Sequence, residues 1–164
     1  MADADGRRSP RFITPEGFAR VRAEYEQLFS IERPGLVDTI SWAAGNGDRS
    51  ENGDYIYGRK RLREIDRRLS YLSTVMKQAK IVDSAAQVER DSVRFGATVE
   101  LADEEDARRI LTLVGEDEAD ATAGRISWVA PIARALVGAR VGDERAVRLP
   151  AGEKSSEVIA ISYP

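Results

Sequence analysis

The stretch from Tyr55 to Ala79, YIYGRKRLREIDRRLSYLSTVMKQA, decides the fold. Its apolar positions are Tyr55, Gly58, Leu62, Ile65, Leu69, Leu72, Met76 and Ala79. They fall on alternating steps of three and four. These are the a and d positions of a heptad, sustained for more than three repeats. After Gly58 neither Gly nor Pro interrupts the pattern. The spacing predicts one long helix with an apolar seam, and such a seam needs a second helix to cover it.

The covering helix lies upstream. Thr14-Pro15-Glu16 is a helix start: Thr14 can cap, Pro15 suits the first helical position, and Glu16 suits the positive end of the helix dipole. Phe18, Val21, Tyr25 and Leu28 continue an apolar stripe, which resumes at Leu36, Val37 and Ile40 and runs through Trp42-Ala43-Ala44. Pro34-Gly35 interrupts it, because Pro34 lacks a backbone donor and crowds the turn before it. The favoured reading is one helix with a kink or loosened turn there. Gly45 to Tyr55, glycine-rich and acidic, is then the tip of an antiparallel hairpin, with Asp48, Glu51 and Asp54 where the helices meet. An arm of roughly 30 residues would reach about 45 Å.

The pattern changes at Ile81-Val82-Asp83. Short strand-like runs follow at Ala97–Leu101, Arg109–Val114, Arg125–Val129, Ala146–Leu149 and Glu157–Ser162. Pro131 to Val137 reads as one short helix, and Val141-Gly142-Asp143 and Pro150-Ala151-Gly152 as turns. The acidic run Glu116 to Asp120 reads as a solvated loop. The chain is thus α+β: an N-terminal antiparallel two-helix coiled coil over 12–82, with its tip at 45–55, then an antiparallel-sheet domain with a short helix over 83–164. Residues 1–11, polar and charged, read as a disordered leading segment.

Composition excludes several chemistries. The 164 residues contain no Cys and no His, so disulfides, thiolate metal sites and a Ser-His-Asp triad are absent. Carboxylates, hydroxyls, Lys or a bound ion must carry any reaction. No apolar run approaches the ~18 residues of a membrane span, and the first residues lack the apolar core of a signal peptide. A cytoplasmic protein with no membrane partner is expected. The net charge of −3 names no partner, although 32% of residues are charged. Distribution is more informative.

Two constellations stand out. Asp48 and Glu51, three apart, suit a capping box at the start of the second helix. They equally suit a pair of exposed carboxylates for a hard cation such as Mg²⁺, which prefers oxygen ligands and keeps several waters. Two carboxylates hold it weakly, so a partner must supply the rest. Spacing alone leaves both readings open. The second constellation is basic. Arg59, Lys60, Arg61, Arg63, Arg67 and Arg68 face only Glu64 and Asp66, six cations against two acids. Arg59, Arg63 and Arg67 recur every four residues on one face, with Lys60 beside them. A solvated face with ion pairs such as Lys60–Glu64 is one reading; a nucleic-acid backbone as partner is the other. Trp42, Tyr55 and Tyr57 cluster near the tip and read as packing for the hairpin end, ahead of base stacking.

These residues resemble a known family. Ser41-Trp42-Ala43-Ala44, Gly47-Asp48-Arg49-Ser50-Glu51-Asn52 and Lys60 to Arg68 are similar to the bacterial Gre transcript-cleavage factors, and the Trp and the basic run favour the GreB-like branch. In the second half Pro131 to Leu136, Val141-Gly142-Asp143 and Leu149 to Glu153 match the same family. The resemblance covers about residues 12 to 163. It implies that the coiled coil enters the secondary channel of RNA polymerase and that the second half is an FKBP-like domain docking at the channel mouth. Asp48 and Glu51 match the essential acidic pair, which helps hold a Mg²⁺ shared with the polymerase while the 3′ end of a backtracked transcript is hydrolysed. Arg59, Lys60, Arg63 and Arg67 match the basic patch that holds extruded RNA. The chain would then be a monomeric accessory factor and no enzyme by itself.

The chain departs from the family at the docking loop. GreB-like proteins typically carry Asp-Ser-Pro there; this chain has Val129-Ala130-Pro131, and Trp128 and Val129 offer a more apolar contact. Gly53 and Gly58 loosen the second helix at its start, and the segment before Phe12 is longer than the family needs. The altered loop keeps a second reading open, a channel-binding protein that modulates or inhibits the polymerase without stimulating cleavage. A peptidyl-prolyl isomerase would rest on the FKBP-like fold alone. Asp54 fits a helix start better than a third metal ligand.

Overall fold

The computed structural model describes residues 10–46 and 52–164. The chain divides into two compact units. One is Phe18–Gln78; the other joins the residues up to Gly17 with Ala79–Pro164.

The first unit is the helical hairpin. Helix α1 (Pro15–Gln27) passes through a π-helical turn (Leu28–Glu32) into α2 (Arg33–Ala44) without leaving helical backbone angles. Pro34 explains the π turn. It has no N–H, and its ring crowds the carbonyl four residues back. Widening the preceding turn to an i→i−5 bond, Arg33 N–H to Leu28 O, relieves that crowding and keeps one helix. The loosened turn predicted at Pro34-Gly35 is therefore a π turn just ahead of it. Helix α3 (Gly53–Gln78) is uninterrupted for 26 residues, about 39 Å.

Polar pairs fix the antiparallel register. Ala43 meets Asn52, Glu32 meets Arg61, and Glu24 meets Arg68. The buried seam of α3 is Gly58, Ile65, Leu69, Leu72 and Val75, and the first helical arm buries Val21, Leu28 and Ala43. Val75 replaces Met76 as the fully buried residue at the far end. A straight helix drifts about 20° per heptad against a strict repeat, so the seam moves by one residue. Gly58 has a packing role the sequence hides. A Cβ there would stand 2.6 Å from Ile40 Cγ1, so glycine lets α2 and α3 approach closely.

The second unit is a five-stranded sheet. Strands β3 (Thr98–Asp103), β4 (Arg108–Val114), β5 (Arg125–Ser127), β6 (Glu144–Leu149) and β7 (Gly152–Ser162) lie in the order β5-β4-β3-β7-β6. All neighbours are antiparallel except β4 and β5. Helix α4 (Pro131–Leu136) buries Ala133 and Leu136 in a core with Val99, Leu111, Leu113 and Val158. Tyr163 closes this core, its hydroxyl donating to Ser92 O and accepting from Arg94 N–H. The predicted strands are all present. Strand β7 begins at Gly152 rather than Glu157, because its hairpin with β6 runs to the Leu149–Gly152 pair.

Two features of this unit differ from the sequence reading. Arg11, placed there in the leading segment, lies in β1 (Arg11–Ile13), which pairs in parallel with β2 (Ala79–Ile81). Glu118, placed in a solvated loop, is buried. Its carboxylate accepts from the N–H and hydroxyl of Thr14 and from Gly115 N–H. Arg125 stands 3.5 Å away. A buried carboxylate persists only when so satisfied.

Candidate nucleic-acid interface

The tip is held by a residue that the capping-box reading passes over. Asn52 Oδ1 accepts from Tyr55 N–H at 3.2 Å, which caps α3. Its Nδ2 donates to Ala43 O at 2.8 Å, at the end of α2, a carbonyl that also accepts from Asn46 N–H at 3.1 Å. One side chain thus ties both helix ends. The signal was available: Asn is a favoured cap, and it precedes a helix that opens on Gly53 and Asp54. Asp54 lies in the first turn of α3 and is exposed, where a carboxylate favours the helix dipole. Asp48 and Glu51, the candidate acidic pair and metal ligands, lie outside the described residues.

The structure sorts the basic run into two sets. Arg61 donates two hydrogen bonds to Glu32, at 2.6 and 2.9 Å, and reaches Glu64 at 3.4 Å. Arg68 forms a fork with Glu24 at 2.7 and 2.8 Å. Arg33, from α2, takes Asp66 at 2.8 Å. These are half-exposed, solvent-screened pairs that add little to stability, and their main effect is on register. The hydrogen bond from Arg68 holds the Glu24 carboxyl below its ordinary range. Hydrogen bonds to Asp66 and Glu32 raise the Arg33 and Arg61 guanidiniums.

Both acids of the run are therefore engaged by Arg61 and Arg33. Glu64 pairs with Arg61 and not with Lys60. Among the described residues Lys60, Arg63 and Arg67 form no ion pair. All three are exposed, as is Arg59, which donates to Tyr55 Oη at 3.2 Å and lies over that ring. The four candidate RNA-binding residues are thus the ones that pair with no acid among the described residues of the hairpin.

Two aromatics near the tip differ from the packing role read from sequence. Trp42 is 65% exposed and Tyr57 67%, with Ile56 exposed as well. Tyr55 is half-buried. Beside the basic row, α2 and α3 bound an open groove of about 340 Å³.

The docking-loop residues sit differently from one another. The Trp128 ring packs on Phe12 at 4.9 Å and Phe95 at 6.0 Å, which makes it part of an aromatic cluster. Val129 and Ala130 are half-buried, and Pro131 opens α4 in an exposed position. Among the described residues no group of three acidic side chains could hold a metal ion by itself, and no helix is long and apolar enough to cross a membrane.

Fold and site together define a two-unit α+β protein whose helical hairpin carries an exposed cationic face. Residues 11–81 match the family described as transcription elongation factor, N-terminal, and residues 87–163 match transcription elongation factor, GreA/GreB, C-term. The chain belongs to the GreA/GreB transcription elongation factor family. It is 44% identical to transcription elongation factor GreB of Neisseria meningitidis serogroup B, over 93% of each chain. Identity to GreB of Pseudomonas aeruginosa is 46%, over 93% of this chain and 90% of that one. Identity to GreA of Rhodospirillum rubrum is 41%, over 92% and 96%.

Proposed function

We propose that this elongation factor inserts its hairpin into the secondary channel of RNA polymerase and stimulates the polymerase's own cleavage of backtracked RNA. The observation that supports this reading most is the division of the basic run. Arg61 and Arg68 are used up within the hairpin, whereas Arg59, Lys60, Arg63 and Arg67 are exposed and, among the described residues, without a countercharge. An anionic strand satisfies such a face. These four residues would hold the extruded 3′ segment, and α3 runs from them to the tip.

At the tip Asp48 and Glu51 would meet the polymerase active centre. Their oxygen donors suit Mg²⁺, and two carboxylates suit an ion whose shell a partner completes. Such an ion supplies activation of the attacking water and stabilisation of the leaving oxygen. The chain's own part is to position two carboxylates and keep the RNA in reach. Trp128 to Pro131 would contribute the docking surface at the channel mouth, Pro131 by direct exposure and Trp128 by supporting the loop from its aromatic cluster.

A backtracked elongation complex with 3′-labelled RNA tests the proposal. Addition of the protein releases a short labelled fragment if the reading holds. Slowed elongation with no fragment supports instead a channel occupant that modulates the polymerase.

A further inference from the structure

The groove between α2 and α3 is not used by the reading above. Its floor is aliphatic: Val37 and Ile40 from α2, and Leu62 from α3. Ile40 and Leu62 are half-buried, and Val37 remains exposed. Its rim is cationic, formed by Arg59 and Arg63. The acid that lines it, Asp66, is paired with Arg33 at 2.8 and 3.5 Å, which offsets its charge toward an incoming anion. An apolar floor beside unneutralised guanidiniums is the complement of a nucleotide, which has a flat, weakly polar base attached to a phosphate. At about 340 Å³ the groove lies in the size range of small-ligand sites, roughly 300–1,000 Å³.

We infer that this groove receives a nucleobase of single-stranded RNA, laid on Val37, Ile40 and Leu62, while Arg59 and Arg63 take the adjoining phosphates. The inference rests on the proposal that RNA runs along this face, and it adds base recognition to phosphate contact. The geometry of α3 agrees. Arg59, Arg63 and Arg67 rise about 6 Å per step of four residues, so a flexible strand can follow the row while one base turns inward. Aliphatic side chains make the same van der Waals contact with the flat face of any base, so such a seat is tolerant of sequence. The groove is therefore a general base seat without preference for one sequence.

The test uses the isolated full-length protein, so that it is independent of cleavage and of polymerase binding. A short single-stranded oligoribonucleotide is compared with an abasic oligomer of equal length and charge, by fluorescence anisotropy at low salt. The base-containing strand binds about fivefold tighter, as burial of part of one base face implies. Val37→Asn, a change at an exposed helical site, brings the ratio close to one. Arg63→Ala weakens both oligomers together and leaves the ratio unchanged. Equal affinity of the wild-type protein for the two oligomers overturns the inference and leaves a phosphate-only face. So does a Val37→Asn variant, helical by circular dichroism, that retains the full ratio. Loss of fragment release in the elongation complex with the ratio intact would count against the cleavage reading alone.

Discussion

Gly58→Ala sets two effects against each other, and the structure decides between them. Alanine in place of glycine inside a helix gains about 1 kcal/mol from propensity. The added Cβ would stand 2.6 Å from Ile40 Cγ1 and 3.4 Å from Ile40 Cδ1. Carbon atoms pack best at roughly 3.5–4.0 Å, so the overlap is close to 1 Å. The atom it meets is the γ1 methylene of a half-buried side chain rather than its free end, so relief requires Ile40 to leave its rotamer or the helices to part. Overpacking of this kind costs about 1–3 kcal/mol. The net change is a loss of up to about 2 kcal/mol. In an Ile40→Ala background the obstacle is gone and the same substitution stabilises by about 1 kcal/mol. The measurement is a four-member double-mutant cycle by urea unfolding, followed by far-ultraviolet ellipticity. A coupling of about 1–3 kcal/mol and a change of sign between backgrounds are expected. If Gly58→Ala stabilises the wild-type and Ile40→Ala proteins equally, the close approach of α2 and α3 is wrong.

Other outcomes follow from single contacts. Asn52→Ala removes the α3 cap and the bond to Ala43 O, and costs about 1–2 kcal/mol in the same unfolding assay; a loss under about 0.5 kcal/mol would deny its role at the tip. Arg63→Ala and Arg67→Ala each reduce the slope of log affinity for single-stranded RNA against log salt by about 0.7, whereas Arg61→Ala, already paired to Glu32, leaves the slope unchanged. Burial raises the Tyr163 phenol above its ordinary value of about 10. The unfolded chain therefore loses this proton first, and stability declines as pH rises through about 10 and up to the folded value. Tyr163→Phe is less stable at neutral pH, having left Ser92 O and Arg94 N–H without their partner, but it lacks this component of the alkaline decline.

The features legible in the sequence are those with a local period. Heptad spacing from Tyr55 onward marks the hairpin, because burial of one helix face repeats every three or four residues. The strands of the sheet stand out by their short apolar runs and turn residues. Features that depend on distant partners do not. Glu118 looks solvated among Glu116 and Asp117, and its burial depends on Thr14, 104 residues away. Strand β1 has only three residues, and its partner β2 lies on the far side of the hairpin. The basic run shows the same limit at the site. Its excess of charge is visible in the sequence, but which cations stay unpaired depends on Glu24, Glu32 and Arg33 across the hairpin. Trp42 and Tyr57 read as packing residues from their position near the tip, yet both are exposed.

The proposed stimulation of the polymerase's cleavage by the tip carboxylates is tested most directly at Asp48 and Glu51. In a backtracked elongation complex with 3′-labelled RNA, Asp48→Ala and Glu51→Ala should each abolish fragment release that the wild-type protein stimulates. Binding of either variant to the polymerase should stay close to wild type, because two tip carboxylates contribute little to docking. Fragment release retained by both variants, at matched occupancy of the polymerase, would contradict the assignment of these carboxylates to the reaction.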